Sequence, residues 1–89
     1  MAVHTYQLAG YFSSGKELIP ENKKIKKIIK LGIQAEEGVR VLLDNRSFEI
    51  GKAKVLFFEN AEIQSIKLAP TIGTKFLIID FTYEDNIDE

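Results

Sequence analysis

Short runs of alternating apolar and polar residues recur along the chain, separated by turn residues roughly every ten positions. The run from Lys75 to Tyr83 is the clearest, because it places a continuous series of large apolar side chains on one face: Leu77, Ile79, Phe81 and Tyr83. The seven runs lie at residues 3–12, 25–33, 39–43, 48–50, 54–58, 62–68 and 75–83. This pattern predicts an all-β fold, an antiparallel β-sandwich or small barrel of about seven short strands.

Turn residues separate these runs and limit the possible topologies. Ser13-Ser14-Gly15, Glu59-Asn60 and Ala69-Pro70 are typical of loops, and Asp44-Asn45 predicts a tight hairpin. In the run from Glu62 to Leu68, alternation predicts a shared face for Gln64, Ile66 and Leu68. The segments between strands are too short for a crossover helix, so a parallel α/β fold is not expected.

The segment from Glu21 to Gln34 has two interpretations. Ile25, Ile28 and Ile29 have the spacing of an amphipathic helix, whereas a strand would place Ile25, Ile29, Leu31 and Ile33 on one face. Gly32 and the β-branched isoleucines disfavour a helix, so the strand is the favoured interpretation.

Composition limits the classes of protein to consider. The chain has 89 residues, 45% of them hydrophobic and 28% charged, which predicts one domain over residues 1–84 with an acidic, frayed segment at 85–89. It has no cysteine, which excludes disulfides, thiolate zinc sites and cysteine nucleophiles. Its net charge of −1 gives no general attraction for nucleic acid or anionic membranes. It contains neither a signal-peptide pattern nor an apolar stretch long enough to cross a membrane.

No motif in the sequence predicts catalysis. The stretch from Gly10 to Lys16 fits the start of a phosphate-binding loop, GxxxxGK, but Glu17 stands where that motif needs Ser or Thr. A strand followed by a turn is therefore expected there. His4 is the only histidine, and the carboxylates of the C-terminus lack the spacing of a calcium loop. We expect no enzymatic activity, no metal, no cofactor and no small-molecule substrate.

Charged and apolar clusters instead suggest a surface for protein partners. A basic segment and an acidic terminus have opposite signs, and several apolar residues lie in strands that are apolar on both faces. The candidate partner residues are Lys23, Lys24, Lys26, Lys27, Lys30, Phe58, Phe76, Ile78, Asp85, Asp88 and Glu89. One hypothesis is a head-to-tail contact, in which the acidic terminus reaches the lysines of a neighbouring copy. The lysines could alternatively serve only to block unwanted strand pairing.

Part of the chain resembles a known family. The stretches Leu31-Gly32-Ile33-Gln34-Ala35, Val39 to Asn45 and Phe48-Glu49-Ile50-Gly51 are similar to small structural proteins of tailed phages and prophages of Gram-positive bacteria. The resemblance covers residues 28–84, with Glu36-Glu37 where that family has two prolines. It implies a non-enzymatic virion component, of capsid, neck, tail or baseplate, located in the virion or the bacterial cytoplasm. It carries no catalytic or ligand residues.

Two other functions are compatible with a small β-sandwich. The first is an inhibitory or regulatory protein that docks a host factor. The second is a carbohydrate-binding module, for which only Tyr6, Tyr11 and Tyr83 offer tyrosine rings to stack on sugars, since tryptophan is absent.

Overall fold

Seven strands and no helix make up the regular structure of the described chain, so the prediction of an all-β fold is confirmed. The computed structural model describes residues 3–20 and 25–85, with the backbone alone at Lys26 and Asp85. The strands are β1 (Val3–Ser13), β2 (Ile25–Gln34), β3 (Arg40–Leu43), β4 (Arg46–Glu49), β5 (Val55–Ala61), β6 (Ile66–Leu68) and β7 (Thr74–Asp85). None of the described residues belongs to a helix that could cross a membrane.

The strands form two antiparallel sheets, which are consistent with a small β-sandwich. The four-stranded sheet has the order β1-β7-β2-β5 and the three-stranded sheet the order β4-β3-β6. Strand β1 pairs with β7 over its whole length, from Val3 opposite Glu84 to Ser13 opposite Thr74. The predicted inward face of β7 is buried at Leu77, Ile79, Phe81 and Tyr83, which belong to the same core cluster as Ile66, Leu68 and Val41 of the other sheet.

Strand β2 settles the ambiguous segment in favour of a strand over residues 25–34. Its core residues are Ile25, Ile28, Leu31 and Ile33, so the expectation that Ile29 faces the core is wrong. Two irregularities in the pairing with β7, between Ile25 and Lys27 and between Ile28 and Lys30, each insert one residue. Such bulges convert the period of two into a spacing of three, which imitates a helix in the sequence.

Strands β5 and β6 have different limits from those that the sequence predicts. The expected turn at Glu59-Asn60 lies inside β5, where Asn60 has a positive φ of 54° and the strand continues to Ala61. Strand β6 begins only at Ile66, and Gln64 is exposed instead of sharing the buried face of Ile66 and Leu68.

The predicted hairpin at Asp44-Asn45 is confirmed. Both residues have positive φ, 52° and 69°, as a two-residue turn with the twist of its flanking strands requires. The turn joins β3 and β4, whose register runs from Leu43 opposite Arg46 to Arg40 opposite Glu49. The Arg40 guanidinium donates to Ser47 Oγ at 3.2 Å and to Glu49 Oε1 at 2.8 Å across this hairpin.

Candidate functional site: an exposed apolar sheet face

The outer face of the four-stranded sheet exposes large apolar side chains. Tyr11 is 73% exposed, Phe57 60%, Phe76 42% and Val55 41%, and Ile78 is half-buried. We call these five residues the outer patch. They come from β1, β5 and β7, so no single stretch of sequence contains them. An uncovered group of this kind is typical of a protein-binding surface.

Pairing between the strands connects the outer patch across the sheet. Tyr11 lies opposite Phe76, and their rings meet edge to face with centroids 5.2 Å apart. Ile78 lies opposite Gln34 of β2, and Gln34 in turn lies opposite Val55. Phe76 and Ile78 also line a shallow pocket of about 200 Å³ together with Lys54 and Gln34.

Beside Phe57, the outer face has a depression above Gly32. Gly32 lies between Phe57 on β5 and Asp80 on β7, and a Cβ atom at Gly32 would come within 2.7 Å of Asp80 Oδ1. The Asp80 carboxylate therefore extends over the glycine and puts one charge next to the apolar side chains.

The predicted apolar partner residues separate into two groups. Phe76 and Ile78 lie on the outer face, as the prediction of a partner surface requires. Phe58 does not, because it packs against the core and its ring meets that of Phe48 at 5.2 Å. Its neighbour Phe57 takes the exposed position instead.

The predicted charged residues lie at the other end of the same sheet, as far as they are described. Lys30 is exposed opposite Glu59, and Lys27 is half-buried opposite Glu84. The side chains of Lys26 and Asp85, and the whole of Lys23, Lys24, Asp88 and Glu89, lie outside the described residues. The structure therefore does not test the hypothesis that the acidic terminus meets the lysines.

Two carboxylates outside the predicted set hold the loop before β6. Asp44 Oδ1 accepts hydrogen bonds from the backbone N–H groups of Gln64 and Ser65, both at 2.9 Å. Glu17 accepts from Ser65 Oγ at 2.6 Å and from the N–H groups of Ile66 at 2.8 Å and Ile19 at 3.2 Å. Side chains thus take the place of strand partners here, which is why β6 begins later than the alternation predicts.

The stretch that fits a phosphate-binding loop has the expected ordinary structure. Gly10 to Ser13 belong to β1, a turn follows with Gly15 at a φ of 83°, and residues 16–20, the described part of the chain after it, form no helix. Glu17, which breaks the motif, is the loop-holding carboxylate. The hydrogen bonds of Glu17 give it a structural role, so nucleotide binding is not needed to account for this residue.

The remaining residues that could bind a metal, act as a catalytic base or stack on a sugar do not form a cluster. Within residues 3–20 and 25–85, no group of three or more His, Asp and Glu is placed to hold a metal ion. His4 lies over Tyr83, with ring centroids 5.3 Å apart. Of the three tyrosines, Tyr83 is buried and Tyr6 is half-buried, so Tyr11 alone has its ring exposed.

A groove lies between the sheets where β4 faces β5. It has a volume of about 590 Å³, with the Phe48–Phe58 pair and Ile63 as its apolar wall and Arg46 and Glu62 among its polar residues.

The four edges of the two sheets are protected unequally. The β6 edge is covered by the loop after β1, through hydrogen bonds from Gly15 N to Leu68 O at 3.1 Å and from Leu18 N to Ile66 O at 2.8 Å. The β4 edge is four residues long and carries Arg46 and Glu49. The β5 edge carries Glu59 and the irregular Asn60.

Strand β1 differs from these edges in its sequence and in its pairing. It is eleven residues long, pairs with β7 without a register shift, and contains no Lys, Arg, Asp, Glu or Pro. No described strand pairs with its other side. Charges, prolines and bulges are usual means of preventing edge pairing, and the sequence of β1 uses none of them.

Comparison of the chain with protein-family models, curated proteins and solved structures finds no match in any of the three.

Proposed function

We propose that this protein is a non-enzymatic structural subunit that works through protein–protein contacts in a multi-copy assembly, of the virion type that its sequence resembles. The single observation that carries the proposal is the outer patch, because isolated soluble domains rarely leave so many large apolar side chains together on one sheet face.

The residues that could otherwise suggest catalysis support the same proposal. Glu17 and Asp44 are engaged with backbone N–H groups, and Arg40 is engaged across its hairpin. Because these three side chains already make contacts within the fold, they do not compete with the outer patch as the candidate site of the described chain.

The test is to ask whether the chain is incorporated into particles. Particle production is induced in the cells that encode the chain, the lysate is separated on a density gradient, and the chain is quantified in each fraction by peptide mass spectrometry. We expect a constant ratio of this chain to the major particle protein across the particle peak.

A matched pair of variants connects this result to the outer patch. Phe57→Lys places a charge within the patch and should be lost from the particle peak, whereas Glu37→Lys changes an exposed loop residue and should be retained. A wild-type chain that remains in the soluble fractions, bound to a cellular protein, would refute the proposal and favour the inhibitory binding protein.

A further inference from the structure

We infer that the depression above Gly32 binds a saccharide, as one neutral pyranose ring that stacks on Phe57 and hydrogen-bonds to Asp80. This site goes beyond the proposed structural role, because its ligand is a small polar molecule and not a protein. The residues that line it come from all four strands of the four-stranded sheet. Side chains on paired strands are held more precisely than side chains on loops, which favours a binding site here.

Gly32 gives the first reason to expect a ligand. Its φ is outside the positive range that favours glycine, and it pairs in regular register with Asp80 on one side and Phe57 on the other. The backbone therefore does not require a glycine, although glycine weakens the middle of a strand and often marks a place that another molecule approaches closely. The missing side chain leaves a depression of about 200 Å³. Pockets for drug-sized ligands measure roughly 300–1,000 Å³, so this one suits a single ring.

Phe57 provides the apolar wall of the depression. It is 60% exposed and lies on the strand next to Gly32. One face of a pyranose consists mainly of C–H groups, whose small positive partial charges favour the negative face of an aromatic ring. A pyranose above Gly32 would therefore stack on Phe57 and direct its hydroxyl groups toward β7.

The polar groups on the other sides of the depression match the hydroxyl groups of a sugar. The carboxylate of Asp80 extends over Gly32, and its two oxygens can accept hydrogen bonds from two neighbouring hydroxyls. Gln7, which lies opposite Asp80 on β1, can both donate and accept. The other polar side chains that line the depression are those of Lys30, Thr5 and Thr82.

The balance of charge favours a neutral ligand. Among the described residues that line the depression, Asp80 carries one negative charge and Lys30 one positive charge. Lys30 would repel the arginine or lysine side chain of a protein partner, and Asp80 would repel a phosphate or a carboxylate. A sugar carries no charge and needs donors and acceptors together, so it can use all the polar groups of the depression.

NMR titration of the isotope-labelled chain tests the inference on the isolated protein, where no partner covers Phe57. The probes are methyl β-D-glucopyranoside, methyl β-D-galactopyranoside and methyl α-D-mannopyranoside. So small a ligand binds weakly, and we expect a dissociation constant of about 1–10 mM for at least one probe in a titration up to about 100 mM. The amide signals that move should be those of Gly32, Phe57, Asp80 and their strand neighbours.

Two substitutions with matched controls connect binding to the depression. Phe57→Leu removes the aromatic ring and should raise the dissociation constant about five- to tenfold, whereas Phe57→Tyr keeps a ring and should bind like the wild type. Asp80→Asn should also raise it about five- to tenfold, because a charged acceptor makes stronger hydrogen bonds than a neutral one. Glu37→Gln removes an exposed loop carboxylate outside the depression and should change nothing. The same spectra show whether each variant is folded.

Three results would overturn the inference. The first is that no probe moves the signals of the depression, and the second is that Asp80→Asn binds the probes as tightly as Glu37→Gln. The third is that N-acetylarginine amide binds there more tightly than any of the sugars, which would identify the arginine side chain of a protein as the ligand.

The saccharide site and the structural role can fail separately. Phe57 belongs to both the depression and the outer patch, but Asp80 lies outside the five residues of the patch. Asp80→Asn should therefore lose sugar binding and still be incorporated into particles, whereas loss of incorporation alone would concern only the structural role.

Discussion

Replacement of Glu17 by alanine should destabilise the fold more than its position in a loop suggests. The Glu17 carboxylate accepts three hydrogen bonds, and two of the donors are backbone N–H groups of the buried residues Ile66 and Ile19. A hydrogen bond to a charged group contributes about 1.5–3 kcal/mol, and a buried donor left without an acceptor adds a cost of its own. Because such effects are not additive and water reaches part of this site, we expect a loss of about 2–4 kcal/mol in the free energy of unfolding.

Guanidinium unfolding followed by circular dichroism measures this loss. The midpoint should fall while the slope stays at the wild-type value, and the melting temperature should drop by about 10–25 °C for a domain of this size. Glu17→Gln keeps one oxygen as an acceptor and should lose about half as much. The control is Glu37→Ala, which removes an exposed loop carboxylate. If Glu17→Ala came within about 0.5 kcal/mol of this control, the loop would not be held by Glu17.

Three further substitutions test other parts of the structure by the same unfolding assay. Phe81→Ala should cost about 3–5 kcal/mol because Phe81 is buried, while Phe57→Ala, its exposed counterpart in the same sheet, should cost less than about 1 kcal/mol; equal losses would contradict the assignment of the two faces. Asp44→Ala should cost about 1–3 kcal/mol, since two N–H groups lose their acceptor, and an unchanged midpoint would contradict that role. Gly32→Ala should lower the free energy of unfolding by about 0.5–1 kcal/mol less in an Asp80→Ala background than in the wild-type chain, because the clash with Asp80 is then absent. If the effects of the two substitutions simply added, the alanine at position 32 would not contact Asp80.

The fold was predictable where large apolar residues recur at every second position along a strand. Alternation predicted β1 and β7 closely, and Asp44-Asn45 predicted the hairpin because few residue pairs accept positive φ at both turn positions. The pattern failed in β2, where two bulges move Ile28 into the core in place of Ile29. A bulge depends on the partner strand, so the period within one strand cannot reveal it.

The candidate site was predictable only in part, for a related reason. Phe57 and Phe58 necessarily face opposite sides of a strand, but both are apolar, so alternation could not decide which one is buried. The choice depends on where the second sheet packs, and it buries Phe58 against Phe48. Tyr11 was named only as a possible sugar-stacking ring and not among the partner residues. Its place in the outer patch comes from Phe76, which is distant in sequence and adjacent only after β1 pairs with β7.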